Sequence, residues 1–253
     1  MTEETLAFYT RQGDSYHATG LGISPWNDKA QMGVALAGLA AHCLETIPSA
    51  MAMLTTRLTV DIMGTVPPDP LTPTCRVLRE GRRMQLIEAT LESNGRSWVR
   101  ATALRVRTTQ TPAVESPPTR PFPPEGRDPN VPRATQWAET ILLEGGFHQA
   151  GPGAIWVRLT SCVVAGEKLQ PLEALAMTAD FGSGVSPVLL VKEWTQANID
   201  VNLHISRMPR DEWILIDATN ESAGNGMGLV NSRISDRHGA LGTAHQTLFL
   251  GER

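Results

Sequence analysis

Gln246 is the side chain whose setting most needs a chemical explanation. Ala244, Leu248 and Leu250 share its face at period 2, so a fully polar amide is predicted on an apolar strand face. Without partners it would cost about 1–3 kcal/mol per unsatisfied group. Bonding to a loop backbone would satisfy it, and so would holding a water. A second polar set lies on Ile199–Ile205, where Ile199, Val201, Leu203 and Ile205 alternate with Asp200, Asn202 and His204. A carboxylate there could serve as general base to a water, or it could simply be solvated. Ser222 follows Glu221 into a glycine-rich run, Gly224-x-Gly226-x-Gly228, where serine is expected in any turn. That run leads into an apparent strand and not a helix, so it is a poor phosphate cradle. There is no G-x-S-x-G elbow and no HExxH, and the six histidines (17, 42, 148, 204, 238 and 245) are scattered, so neither a serine nucleophile nor a metal site is expected.

The elements that would position these groups come in two sets. The segment Thr108–Ala134 holds Pro112, Pro117, Pro118, Pro121, Pro123, Pro124, Pro129 and Pro132, which reads as an extended linker. It separates residues 1–107 from 135–253. The two parts look alike. Gly81, Met84 and Leu86 match Gly224, Met227 and Leu229 at an offset of 143; Gly95 and Leu104 match Gly239 and Leu248 at 144, as if the second hairpin had one extra residue. Upstream, Val60 aligns with Val201 and Tyr16 with Trp156. On this alignment Asp200, Ser222 and Gln246 stand where the first copy has Thr59, Arg79 and Thr102, so any chemical site belongs to the second copy.

Each part reads as a short strand (Ser15–Gly20, Ala154–Cys162), a helix, then strands in hairpins such as Leu54–Met63. The first helix is predicted from Asp28, as N-cap, to Thr46, before Pro48. The second is predicted from Pro171 to Phe181, ended by Gly182 and Gly184. The first helix carries Gly33, Ala35, Ala37, Gly38, Ala40 and Ala41, and an interior glycine costs about 1 kcal/mol against alanine. Close wrapping by a curved sheet would compensate, which gives an α+β fold: two tandem helix-in-curved-antiparallel-sheet repeats, a double hotdog.

Bulk properties fit such a chain. It has 253 residues, 41% hydrophobic and 19% charged, with a net charge of -4, so no nucleic-acid partner is implied. Three cysteines, Cys43, Cys75 and Cys162, give no CxxC pair and no disulfide framework. The opening MTEETLAFYT is not a secretory leader, and Met32–Leu44 is too short for the roughly 20 apolar residues of a membrane span. A cytoplasmic protein without a membrane partner is expected.

Several runs resemble bacterial acyl-CoA thioesterase II. In the first half they are Leu44-Glu-Thr-Ile-Pro48, Arg57-Leu-Thr-Val-Asp-Ile-Met-Gly-Thr-Val-Pro67 and Val77-Leu-Arg-Glu-Gly81. In the second half they are the strand Asp200, Trp213-Ile-Leu-Ile, Glu221-Ser222-Ala-Gly-Asn-Gly-Met-Gly228 and Asp236-Arg-His-Gly239 through Gln246. The resemblance implies an acyl-CoA substrate, no cofactor, homo-oligomeric assembly, and a water held by an Asp, a Thr or Ser, and a Gln. Carried over, that trio falls on Asp200, Ser222 and Gln246, with Glu221 as the alternative middle member. N–H donors for the developing oxyanion are expected at a helix start, around Gln31, Met32 and Gly33 or around Leu172–Ala174. Two other readings stay open. Asp200, Asn202 and His204 have the residue types of a hotdog hydratase or dehydratase, although His204 comes one position early. A non-catalytic acyl-thioester-binding protein is the third.

Overall fold

The computed structural model describes residues 6–114, 116–123 and 135–253. The chain forms two compact units. One is the chain up to Thr111 together with Thr160–Met177; the other is Pro112–Leu159 together with Thr178–Arg253.

The first unit begins with a hairpin, β1 (Ala7–Gln12) and β2 (Ser15–Ala18). A small hairpin follows, β3 (Ile23–Ser24) and β4 (Asn27–Gln31), and then α1 (Gly33–Glu45). Asp28 lies in β4; α1 starts five residues later, with Met32 as an N-cap that makes no side-chain bond. Val34–Leu44 are all buried. A helix apolar on every side is one enclosed on every side. The interior glycine has a specific cause: a Cβ on Gly38 would lie 2.8 Å from Met177 Cγ and 3.1 Å from Val163 Cγ2. The four strands β5 (Met53–Ile62), β6 (Thr72–Glu80), β7 (Met84–Ser93) and β8 (Arg96–Arg107) then form an antiparallel sheet in the order β6-β7-β8-β5, and all four touch α1.

The second unit repeats the plan. β9 (Ala138–Glu144) and β10 (Gly153–Leu159) form the opening hairpin. The chain then gives the first unit β11 (Cys162–Val164), parallel to β1, and most of α2 (Pro171–Ala179). It returns with α3 (Phe181–Val185), β12 (Trp194–Asn198), β13 (Asp200–Ile205), β14 (Trp213–Glu221), β15 (Met227–Asp236) and β16 (Gly239–Glu252). The order is β9-β10-β14-β15-β16, with β12 and β13 along the other side of β16.

The ladders superimpose at one constant offset. Leu91 faces Val99 and Ile234 faces Gly242; Val77 faces Ile87 and Asn220 faces Val230; Thr59 faces Thr102 and Asn202 faces His245. Each is a shift of 143, maintained through the β15–β16 hairpin, so the extra turn residue expected there does not exist. Two residues, Asn94-Gly95, close the first hairpin, and Arg237-His238 close the second. The glycine has moved by one position inside turns of equal length. The counterpart of Gln246 is therefore Ala103, that of Asp200 is Arg57, and that of Val201 is Leu58. Both copies also carry a β-bulge at the same place, Thr56 in the first and Ile199 in the second.

The proline-rich segment is laid onto the second unit. Ala240 donates to the Ser116 carbonyl at 2.7 Å, Trp156 Nε1 donates to the Pro121 carbonyl at 3.3 Å, and Phe122 packs edge-on against Trp156 and Trp213. Residues 115 and 124–134 of that segment lie outside the described residues. No helix among the described residues is long and apolar enough to cross a membrane.

Candidate active site

The helix that opens at Pro171 is broken after Ala179. α2 stops at Ala179, Asp180 keeps helical angles (φ -67, ψ -17), and α3 resumes at Phe181. The helix therefore runs through Gly182 and Gly184 and does not end at them. Both glycines are there because neighbours come close: the sheet at Gly182 and the β9–β10 loop at Gly184. A Cβ on Gly182 would sit 2.5 Å from Gln246 Oε1 and 2.9 Å from Ser232 Oγ; one on Gly184 would sit 2.7 Å from Phe147 Cζ.

Gln246 occupies the apolar, helix-facing side of β16 that its sequence pattern predicts, buried with Ala244, Leu248 and Leu250. Its Oε1 accepts from the Ser183 backbone N–H at 2.9 Å. Its Nε2 lies 3.5 Å from both the Asp180 carbonyl and Asp180 Oδ1. Those contacts are long, so Nε2 keeps capacity for a closer acceptor such as a water. Asn198 is level with Leu248 and shares its face; its Nδ2 donates to Asp180 Oδ1 at 2.5 Å. Some of the Asp180 residue reaches the surface at this junction, but its carboxyl is buried. Burial pushes its carboxyl up to about 6, against the opposing effect of the Asn198 hydrogen bond. A carboxyl near 6 is mostly ionised at neutral pH and can still take up a proton during a reaction.

Asp200 lies elsewhere. Its Oδ1 accepts from the Thr247 N–H at 2.7 Å and its Oδ2 from the Thr247 hydroxyl at 3.1 Å. Neighbouring residues on a strand point to opposite faces, so Asp200 with Thr247 is on one face of the sheet and Gln246 on the other. The bulge at Ile199, 42% exposed, produces this by separating Asn198, which faces the helix, from Asp200, which does not. Ser222 is exposed; its Oγ donates to the Met227 carbonyl at 2.7 Å and accepts from Gly224 N at 3.3 Å, closing the β14–β15 turn. Glu221 is exposed opposite Leu229, in the row that continues to Thr247. His204 is exposed beside His245, with ring centroids 6.4 Å apart.

At the start of α1, Gln31 N donates to the Val66 carbonyl and Met32 N to the Gly22 carbonyl, both at 2.8 Å. The Gln31 side chain accepts from the Tyr9 hydroxyl at 2.9 Å and donates to the carbonyls of Pro67 and Asp69. Gly33 is the first helical residue. At α2, Ala174 N donates to the Gln170 carbonyl at 2.9 Å. Of the residues singled out from sequence, the helix-facing cluster contains Gln246 alone. Its other members, Asp180 and Asn198, were not singled out. One signal was available: an aspartate in the last turn of an apolar helix opposes the helix dipole. Among the described residues no group of three or more His, Cys, Asp or Glu side chains is placed to hold a metal ion.

Comparison with known proteins agrees on the architecture. The solved structures of a hot dog fold protein of unknown function from Alicyclobacillus acidocaldarius (TM-score 0.76, 17% identity, 96% of this chain and 95% of that one), of acyl-CoA thioesterase II TesB2 from Mycobacterium marinum (0.71, 16%, 96% and 94%) and of a tesB protein from Mycobacterium avium subs paratuberculosis (0.68, 13%, 96% and 96%) share the fold. The chain is thus a double hotdog. No curated protein is significantly similar in sequence. Residues 23–106 match the acyl-CoA thioesterase N-terminal domain, and residues 109–250 match the acyl-CoA thioesterase C-terminal domain. With both halves matched in order and the second match alone spanning more than half its length, the chain belongs to the acyl-CoA thioesterase family.

Proposed function

We propose that this protein hydrolyses acyl-CoA thioesters with a water held on the helix-facing side of the second unit's sheet. The observation that carries this reading is Gln246: a buried amide fixed through Ser183 N, with Nε2 still open to an acceptor, beside the carboxyl of Asp180. Family membership supplies the reaction class, and the residues supply means for it. An amide can fix a water without titrating, and a carboxylate can deprotonate it. Attack on the carbonyl carbon then releases the thiol. The single copy of this cluster argues for one site per chain, because the first unit has Ala103 where the second has Gln246.

The test is a thiol-release assay on purified protein over a panel of acyl-CoAs of differing chain length, branching and aromaticity. Turnover of at least one of them is expected. Absence of thiol release across the panel would overturn the reading, and hydration of an enoyl-CoA in its place would move the chain to the hydratase class.

A further inference from the structure

We infer that Cys43 and Cys75 are a redox-active dithiol: under peroxide they close a reversible disulfide that fastens the last turn of α1 to the strand β6. The pair lies wholly in the first unit and uses none of the groups proposed for hydrolysis, so it stands or falls independently of the thioesterase reading.

Three observations carry it. First, two thiols of unlike accessibility meet. Cys43 lies in the last turn of α1 and is 1% exposed; Cys75 is exposed on β6, the end of the strand order β6-β7-β8-β5. They are 32 residues apart, yet Cys75 Sγ donates to the Cys43 carbonyl at 3.5 Å. A disulfide needs Cα atoms within about 7 Å of each other, and here the sulfur of one cysteine already touches the backbone of the other. Cys162 is the contrast: its sulfur is turned to the carbonyls of Leu6 and Val164. Second, the two thiols differ in the way an attacking and a resolving cysteine should. Cys75 is pulled down to about 7, by the Cys43 thiol first and then by the Thr46 hydroxyl and the His42 charge, which together outweigh its burial. Cys43 is pushed well above the usual thiol range, by its bond to Cys75 and by burial. Arg11 of β1 opposes that rise, and Glu173 of α2 adds to it. The accessible thiol is thus the one that ionises near neutrality, and the shielded one keeps its proton. Third, the bond would act where restraint is needed. The Cys43 carbonyl is a helix-end group, bonded by Thr46 Oγ1 at 2.7 Å and Thr46 N at 3.3 Å. Helix ends open at low cost, and a disulfide closing a loop of this length restrains the chain strongly.

The oxidant is hydrogen peroxide, and the chemistry balances in two steps. The Cys75 thiolate attacks one peroxide oxygen and the O–O bond breaks. The sulfur is oxidised to a sulfenic acid, and the other oxygen leaves as hydroxide, which becomes water with the proton that the Cys75 thiol had released. The Cys43 sulfur then attacks the Cys75 sulfur. The S–S bond forms, the S–O bond breaks, and the hydroxyl leaves with the Cys43 proton as a second water. Two thiols and one peroxide give one disulfide and two waters, and a dithiol reductant reverses the change.

The experiment treats the reduced, desalted full chain with hydrogen peroxide, blocks the remaining thiols with iodoacetamide in denaturant, and maps the peptides by mass. The expected product joins the Cys43 peptide to the Cys75 peptide and leaves Cys162 alkylated; dithiothreitol should return all three cysteines to alkylation. In the reduced protein the rate at which iodoacetamide labels Cys75 should be half-maximal near pH 7. That midpoint should move to higher pH in Cys43→Ser, which loses the thiol that favours the Cys75 thiolate. Peroxide should leave on Cys75 of that variant a sulfenic acid that dimedone traps, while Cys75→Ser should consume peroxide at least about tenfold more slowly than wild type. The oxidised wild type should melt at least about 4 °C above the reduced form. A wild type in which peroxide leaves both Cys43 and Cys75 open to alkylation, or joins Cys75 only to Cys75 of a second chain, overturns the inference. An oxidised form that melts no higher than the reduced one overturns the fastening. The wild-type map requires no variant to fold, and none of these readouts depends on turnover of an acyl-CoA.

Discussion

The helix-facing polar groups of the two units stand on equivalent strands and serve different ends. In the first unit Arg105 donates to the carbonyls of Leu44 at 2.8 Å and Ile47 at 2.7 Å, and to Gln85 Oε1 at 3.1 Å; Gln85 in turn donates to the Pro48 carbonyl at 2.9 Å. These groups close the C-terminal end of α1, whose last carbonyls lack intrahelical partners. At the matching places the second unit has Leu248 and Gly228, which offer no such bonds. Its polar groups are displaced to Gln246 and Asn198, where the first unit has Ala103 and Thr55, and they surround a carboxyl and not a helix end. One framework thus supports a core whose hydrogen bonds are consumed by structure and a core that leaves one amide and one acid with capacity to spare.

The comparison can be broken most forcefully at Arg105. Arg105→Leu, which gives the first unit the residue of the second, strands buried carbonyls and should cost about 2–4 kcal/mol in urea unfolding, while the turnover of the folded fraction is unchanged. Gln246→Leu should do the reverse: about a 100-fold loss of kcat with less than about 1.5 kcal/mol of stability. If both variants lost stability and neither lost activity, the division of labour between the units would be wrong.

Gly182→Ala and Gly38→Ala sharpen the contrast. At Gly182 the new methyl meets the buried Gln246 oxygen at 2.5 Å, so activity should fall about tenfold and stability by about 1–2 kcal/mol. At Gly38 the methyl meets Met177 Cγ at 2.8 Å and Val163 Cγ2 at 3.1 Å, so the gain of about 1 kcal/mol in helix propensity should be outweighed and the melting temperature should fall, with activity of the folded protein unchanged.

Smaller effects follow from the two kinds of carboxylate. The lowered carboxyl of Glu88 stabilises the fold at neutral pH, and that contribution is lost as pH falls through its folded value. Glu88→Gln should therefore cost about 1 kcal/mol at pH 7, discounted for its half-exposed arginines, and nothing near pH 3. Asp180 has the opposite sign. Its folded value of about 6 lies above the ordinary 3.8, so the folded state is favoured as pH drops through that window and is disfavoured by the bare charge above it. Asp180→Asn should melt higher than wild type above pH 6 and lose that advantage near pH 4. Smallest of all, Ser222→Ala should cost about 0.5–1 kcal/mol through the turn bond to Met227 and leave kcat within about threefold, by thermal melting and thiol release.

The repeat, the hairpins and the buried face of Gln246 were legible in the sequence because they depend on period and on turn glycines. Alignment on those glycines also misled. Gly95 has φ +73 inside its turn, while Gly239 follows its own turn with φ +124 and lies against the Ser116 carbonyl, so pairing them shifted the register by one. Thr102 then stood in for Ala103. Alternation predicted Ile199 among the inward residues, but a bulge is invisible to a period-2 count, and Ile199 is the extra residue. The helix end was misplaced for a similar reason: Gly182 is there for contact with the sheet and Gly184 for contact with Phe147 of the β9–β10 loop, which are tertiary facts, and local sequence offers only the breaker reading. Asp180 was overlooked because its neighbours are brought from 18 and 66 residues away.

The bulge at Thr56 and Ile199 bears on history. A kink shared at the same place by both copies is most simply inherited from a single ancestral unit and so older than the doubling of the chain. The amides and the acid gathered beside it are found in one copy and therefore diverged after the copies parted. What the ancestor bequeathed was a seam where a strand changes the direction of its side chains, and each descendant has since filled that seam to suit itself.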